Sequence, residues 1–324
     1  MMTMRSDTYC YGIDIGGTTI KAGIFDLSGK LLDKFEFPTD RTEEGSNILR
    51  DIANFIKKQN DRLEIKSGDV AGIGLGVPGS VMPDGTVNKC VNLGWGVINA
   101  GEILKKMTNI PVYTGNDANM AALGEYCEAK EDISSMLFVT LGTGVGGGII
   151  IDGRPVCGAN GAAAEIGHLP VVYGESEKCT CGKSGCLEQA ASAPGVVRTA
   201  ERILAGTDVE SSLRGYDTLS AKIIFDEAKN GDDVALQTVD KVSEYLGIGL
   251  ACACGIADPG LIVIGGGMAA AGEFLLERIR ESYRRNVFHP CTDTPIVQAQ
   301  LGNDAGMYGA ARLVINERNQ THHE

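Results

Sequence analysis

Positive charge is scarce in this 324-residue chain: 29 Lys and Arg stand against 42 Asp and Glu, for a net charge of −13. Nucleic acid is held by clustered basic residues, so it is not an expected partner and small ligands remain. A membrane-spanning run is lacking as well. The most apolar stretch, 248–271, is interrupted by Asp258-Pro259-Gly260 and reads as a helix end, a turn and a buried strand. Residues 1–10 carry no apolar signal core, so export is not expected and the chain reads as cytoplasmic. In that compartment disulfides rarely persist, and the ten cysteines are expected to be thiols or metal ligands.

Glycine is plentiful, with 44 residues clustered at 72–79, 142–148 and 265–267 rather than spread through a linker. The most informative stretch is 9–21, YCYGIDIGGTTIK. Two apolar strands are expected, at 9–15 and 19–25, and Gly16-Gly17-Thr18 must reverse the chain between them. Backbone N–H groups on such a turn suit phosphate oxygens, the Thr18 hydroxyl adds a donor, and Asp14 suits a magnesium ion. Alone, the turn is equally that of an ordinary hairpin. A second copy at 136–156, MLFVTLGTGVGGGIIIDGRPV, repeats strand, Gly-Thr turn, strand, turn and strand. One unit used twice, half a chain apart, implies two related lobes whose turns grip a nucleotide.

Three look-alike motifs fail on context. Gly142-x-Gly144-x-x-Gly147 matches a dinucleotide fingerprint but leads into a strand instead of a helix. Gly74-x-Gly76-x-x-Gly79 contains Pro78 and continues as strand and turn, and Gly182-Lys183-Ser184 lacks the earlier glycine and strand of a P-loop.

Cys179, Cys181 and Cys186 form C-x-C-x4-C with Gly182 and Gly185 inside, a knuckle that can aim three thiolates at one zinc ion. His168 is the nearest credible fourth ligand. His289 is expected in a loop, and His322 and His323 in a polar tail. A closed four-ligand site implies a structural clamp. A general base for phosphate chemistry is sought at Asp117 in PVYTGNDAN, where a strand ends and a helix is expected from about Met120. An Asp there could equally cap the helix. The ends of strands in α/β sheets are where ligands sit, and Asn116 beside it could orient a hydroxyl. The segments 192–205 and 220–251 carry helical apolar spacing and are expected as core helices, the second with a capped start at Ser220.

Taken together, Asp14-x-Gly16-Gly17-Thr18-x-x-Lys21, Asn116-Asp117-Ala118-Asn119, Leu141-Gly142-Thr143-Gly144, Glu165-x-Gly167-His168 and Cys179-x-Cys181-Gly182-x-x-Gly185-Cys186-Leu187-Glu188 closely resemble the ROK family of sugar kinases and repressors. The resemblance runs from Tyr9 to about Leu313. It implies an α/β fold of the actin-like ATPase (ribonuclease H-like) type with two lobes and a central cleft. It assigns 1–119 to a small lobe regained by a helix at 304–321, and 120–303 to a large lobe with the zinc motif and a dimer surface. The implied activity is ATP-dependent phosphorylation of the 6-hydroxyl of glucose, with N-acetylmannosamine or another hexose as the alternative and a non-catalytic sugar sensor as a less favoured one. Asp117 resembles the catalytic base, and Gly79, Asn92, Asn116, Glu165, His168 and Glu188 the sugar ligands. Asp14, Gly16, Gly17, Thr18, Lys21, Thr143 and Gly144 resemble the phosphate and magnesium turns, and Gly265-Gly266-Gly267 the adenosine loop. His168, Cys179, Cys181 and Cys186 resemble the zinc set, which would leave one imidazole nitrogen of His168 for the metal and the other for the sugar. The Gly302–Gly306 segment also fits the family. A homodimer or homotetramer is implied. The family's repressors carry a DNA-binding domain ahead of the first glycine turn, and with that turn at Asp14 none is expected here.

Overall fold

The structure, a computed structural model, describes residues 9–129 and 133–321. Residues 1–8, most of the segment read for a signal core, and His322 and His323 lie outside the described residues. The chain divides into two compact units, one of residues 1–131, 150–163 and 303–324, the other of 132–149 and 164–302.

The first unit opens with β1 (Tyr9–Ile15), β2 (Thr19–Asp26) and β3 (Leu31–Pro38), followed by α1 (Ile48–Arg62), β4 (Val70–Val77), the hairpin β5 (Thr86–Cys90) and β6 (Trp95–Asn99), α2 (Ala100–Thr108), β7 (Val112–Asn116) and α3 (Asp117–Glu128). Its sheet runs β3-β2-β1-β4-β7, with β1, β2 and β3 antiparallel and β1, β4 and β7 parallel. β1 and β4 are apolar almost throughout because they lie inside the sheet. β3, at the edge, alternates half-buried and exposed residues, and its Phe35 and Phe37 pack their rings on Phe55 of α1 at 5.1 Å.

The second unit holds β8 (Ser135–Leu141) and most of β9 (Val145–Ile151). The two-residue β10 (Arg154–Pro155) pairs with the far end of β9, where the chain has already passed into the first unit. The expected duplication of β1–β3 is therefore present as β8–β10, with its third strand cut short. Then come α4 (Leu187–Ala191), α5 (Ala193–Ala205), α6 (Ala221–Lys229), α7 (Asp233–Ala257), β11 (Leu261–Gly265), α8 (Glu273–Asn286) and β12 (Ile296–Gln298). Strand order is β9-β8-β11-β12, with β11 parallel to both neighbours. The helical run expected over 220–251 is two helices. Ser220 caps α6, and Asp232 accepts the Ala235 N–H to start α7 afresh.

The last helix, α9 (Ala305–Thr321), belongs to the first unit and packs on β1, β4 and α3. Close approach is achieved by leaving out side chains: a Cβ at Gly74 would strike the Ala310 carbonyl, and one at Gly309 the Met120 carbonyl. Because α3 is held against α9, it falls in the first unit, whereas the sequence-based boundary at residue 119 puts most of it in the second. No helix among the described residues is long and apolar enough to cross a membrane.

Candidate active site

In the first unit, strand register brings the polar residues together. Asp14 of β1 lies beside Gly76 of β4, and Gly76 beside Gly115 of β7, so the three occupy one row at the C-terminal ends of parallel strands. Asp117 follows two residues later. The first glycine turn is tied down at its base, where Thr39 Oγ1 donates to the Gly16 carbonyl at 2.7 Å and the Thr39 N–H to the Thr18 carbonyl at 3.0 Å. Above it Gly17 faces open space and Thr18 is exposed, which leaves donors for an anion. Burial, with the negative charges of Asp117 and Asp304 against the nearby Lys21, pushes the Asp14 carboxyl up to about 7. A donor set of crowded carboxylates of this kind suits a divalent cation. Lys21 itself donates to the Asn303 carbonyl.

The sequence singled out Gly302–Gly306 without assigning it a task. A Cβ on Gly306 would lie 2.7 Å from the Asp14 carboxyl carbon, so the bare backbone at the start of α9 makes room for that carboxylate. Such a contact between residues almost 300 positions apart leaves no local signal.

Asp117 does not cap α3. Asn116 does so, its Oδ1 accepting the Asn119 N–H at 3.0 Å, and the helix begins at Asp117 instead of Met120. Asn116 Nδ2 donates to Asp117 Oδ1 at 3.0 Å and to the Gly79 carbonyl at 2.9 Å. With the Ala118 N–H also donating to Asp117 Oδ1 at 2.8 Å, that carboxylate is oriented from two sides. Gly79, in left-handed backbone at φ 94°, lies against the Lys89 and Cys90 backbone that leads to the exposed Asn92. Burial raises the Cys90 thiol pKa, and the charge of Asp117 adds to it.

In the second unit, His168 Nδ1 lies 3.9 Å from Cys179 Sγ, and Cys181 Sγ lies 3.6 Å from Cys186 Sγ. All four potential ligand atoms are within 4.8 Å of one another. The edge of a zinc–thiolate tetrahedron is about 3.8 Å, given Zn–S bonds near 2.3 Å. Burial and the neighbouring sulfurs hold the Cys186 thiol up to about 12, so the crowded sulfurs need a cation to ionise together. The other His168 nitrogen, Nε2, points to Glu165 at 3.9 Å.

Glu188, in the first turn of α4, joins this cluster to the second glycine turn. Its Oε2 accepts the Val145 N–H at 3.1 Å, so close to Gly144 that a Cβ there would collide with it, and its Oε1 accepts from Thr180 at 3.5 Å. At the C-terminal end of β11, Gly266 adopts φ 82° against the Leu141 backbone. The turns after β8 and β11 then line one cavity of about 480 Å³, with Thr143 and Gly267 on one side and Ser220, Ala221, Lys222 and Phe225 on the other. The helix face that completes it, on α6, was expected only as core. Ala221 and Phe225 belong to the buried side that the apolar spacing reports, and that spacing does not distinguish a core contact from a cavity wall. Gly265 itself sits within β11, packed against Phe138, and does not line the cavity. His289 lies in a short 3-10 turn, its ring against Phe288, as expected of a loop residue.

Residues 10–317 match the model of the ROK family. The chain belongs to the ROK family. Among curated relatives, it is 39% identical to a glucokinase of Halalkalibacterium halodurans over 97% of both chains. Among solved structures, a ROK family glucokinase of Streptomyces griseus in complex with glucose and AMPPNP aligns at 35% identity with a TM-score of 0.75, over 94% of this chain and 98% of that one. A ROK hexokinase of Thermus thermophilus aligns at 32% identity with a TM-score of 0.81, over 97% and 99%. The fold is accordingly the actin-like ATPase fold of the ROK sugar kinases.

Proposed function

We propose that this chain is a glucokinase, which transfers the γ-phosphate of ATP to the 6-hydroxyl of D-glucose. The observation that carries the reading is the Asn116–Asp117 pair at the end of β7: the neighbour supplies the helix cap, and the carboxylate is aimed by donated hydrogen bonds beside the row that holds Asp14. The likeness to a curated glucokinase over nearly the whole chain supports glucose as the sugar.

In this mechanism Asp117 accepts the proton of the sugar 6-hydroxyl as its oxygen attacks the γ-phosphorus and ADP leaves. Gly79, Asn92, Asn116, Glu165, His168 and Glu188 bind the sugar hydroxyls. The turn at Gly16, Gly17 and Thr18, closed by the Gly16 N–H on the Thr19 carbonyl, offers the N–H groups of Gly17 and Thr18 to phosphate with Lys21 beside them, those of Thr143 and Gly144 hold phosphate from the second turn, and the cavity bounded by Gly267 and Phe225 takes adenosine. Asp14 would hold Mg²⁺, which neutralises phosphate charge. His168, Cys179, Cys181 and Cys186 would hold a structural Zn²⁺, which fixes the knuckle and the His168 tautomer. The protein works in the cytoplasm as a homodimer or homotetramer.

The test is ADP release by the purified protein with ATP and glucose, mannose, fructose, allose, N-acetylglucosamine or N-acetylmannosamine. Preference for glucose is expected. Preference for an N-acetyl sugar would overturn the substrate, and no release with any sugar would overturn the activity.

A further inference from the structure

The β5–β6 hairpin closes at the Cys90–Trp95 pair, and its four-residue tip is Val91-Asn92-Leu93-Gly94. Val91 and Asn92 are exposed at this tip, whereas Leu93 is fully buried and Trp95 is 6% exposed. The tip is locked to a second unusual segment. Glu43, Glu44 and Gly45 are consecutive left-handed residues, with φ of 49°, 57° and 68°. That backbone is disfavoured for residues bearing a Cβ, and two glutamates in succession persist there only where neighbours hold them. Three contacts do so: Trp95 Nε1 donates to the Gly45 carbonyl at 3.0 Å, a Cβ on Gly94 would lie 2.9 Å from Glu44 Cα, and one on Gly45 would strike the Leu93 carbonyl. The other flank of the tip passes Gly79 and, through Cys90, the charge of Asp117.

The geometry points to Trp95 as a positioning residue for the sugar: its indole N–H, clamped on the left-handed 43–45 turn, fixes the hairpin tip and with it Asn92. This rests on the proposed sugar-kinase activity and on Asn92 as a sugar ligand. The strain at 43–45 is then tied to function, because it presents the Gly45 carbonyl to the indole. A tip released from that carbonyl loses the sugar contact while the phosphate turn, held separately by Thr39, is undisturbed.

The chain has one tryptophan, so the test can be made at a single atom. Biosynthetic replacement of Trp95 by benzothienylalanine keeps the ring shape and deletes the N–H, and Trp95→Phe is the genetic counterpart. Both are expected to raise the KM for glucose at least about 5-fold, with kcat within about 2-fold and the KM for ATP unchanged. In an Asn92→Ala background the same replacement should add nothing further, since it acts through Asn92. Ile56→Val, which trims the same core elsewhere, should lower the melting temperature without moving the glucose KM. An unchanged glucose KM in an active benzothienylalanine protein, or an effect that adds to that of Asn92→Ala, overturns the inference. A wild-type protein inactive on every hexose overturns instead the reading on which it rests.

Discussion

Asp14 is the last residue but one of β1 and Asp117 the first of α3, and their surroundings set these two carboxylates different tasks. Asp117 receives hydrogen bonds from Asn116 and Ala118 at Oδ1, which orient its carboxylate as the proton acceptor that a base must be. Asp117→Asn is expected to lower turnover at least about 100-fold while glucose binding, measured by calorimetry, survives. Asp14 is half-buried among negative charge, and its carboxyl is raised to about 7. Below about pH 4 both folded and unfolded chains hold this proton. As pH rises toward 7 the unfolded chain releases it first, so the ligand-free fold loses stability, and above 7 the loss is complete. Asp14→Asn removes that cost. The ligand-free variant should melt higher than wild type at pH 8, match it near pH 4, and lose kinase activity at both. Equal melting curves at pH 8 would show that Asp14 carries no such strain.

Among the elements, the cysteine knuckle and α4 show how a metal clamp reaches the chemistry. Glu188 touches Val145 at the second glycine turn and lies within 4.0 Å of Cys179, while His168 faces Cys179 with one nitrogen and Glu165 with the other. Loosening the knuckle therefore disturbs three proposed sugar ligands together. Cys181→Ser is expected to take bound zinc, measured by elemental analysis, from one per chain to near zero. The same change should cost at least about 10-fold in kcat/KM for glucose. These elements were readable from the sequence wherever the cause was local. The Gly-Gly-Thr turn sets both flanking strands, and the C-x-C-x4-C spacing sets the knuckle. Gly306 beneath Asp14 and the cavity face of α6 were not readable, because each depends on a partner far along the chain, whereas the Asn116 cap on Asn119 is local and was masked by Asp117, an equally good cap residue beside it. A neighbouring strap adds a pH term of the opposite sign to Asp14. The Arg202 guanidinium grips Glu175 at 2.7 and 3.1 Å and holds its carboxyl down to about 2. That contribution is present above the ordinary glutamate range and is lost as pH falls from about 4 to 2. Glu175→Gln should therefore flatten the acid limb of the melting-temperature profile, and an unaltered limb would rule the strap out as its source.

At the scale of the whole molecule, the order of the chain sets a constraint on folding. The first unit is assembled from residues near the start, a short excursion at 150–163 and the final helix. Its satellite core joins Cys10 and Phe25 to Met307, Ala311, Val314 and Ile315, so these strands cannot finish burying their apolar surface until α9 arrives. The fit there is backbone against backbone. At Gly74 an added Cβ would overlap the Ala310 main chain, which no rotamer change relieves, and at Gly309 it would overlap Met120 in the same way. Gly74→Ala is expected to cost more than about 4 kcal/mol, the range reserved for broken cores. The variant should lose protease protection in the first unit and be recovered poorly as soluble protein. The second unit has its own core of β8, β11, α5, α7 and α8 residues, and its fragments should resist digestion. Equal loss of protection in both units would mean that the second unit does not hold its fold without the first, and wild-type stability in the variant would mean that α9 does not lie against β4 at this residue.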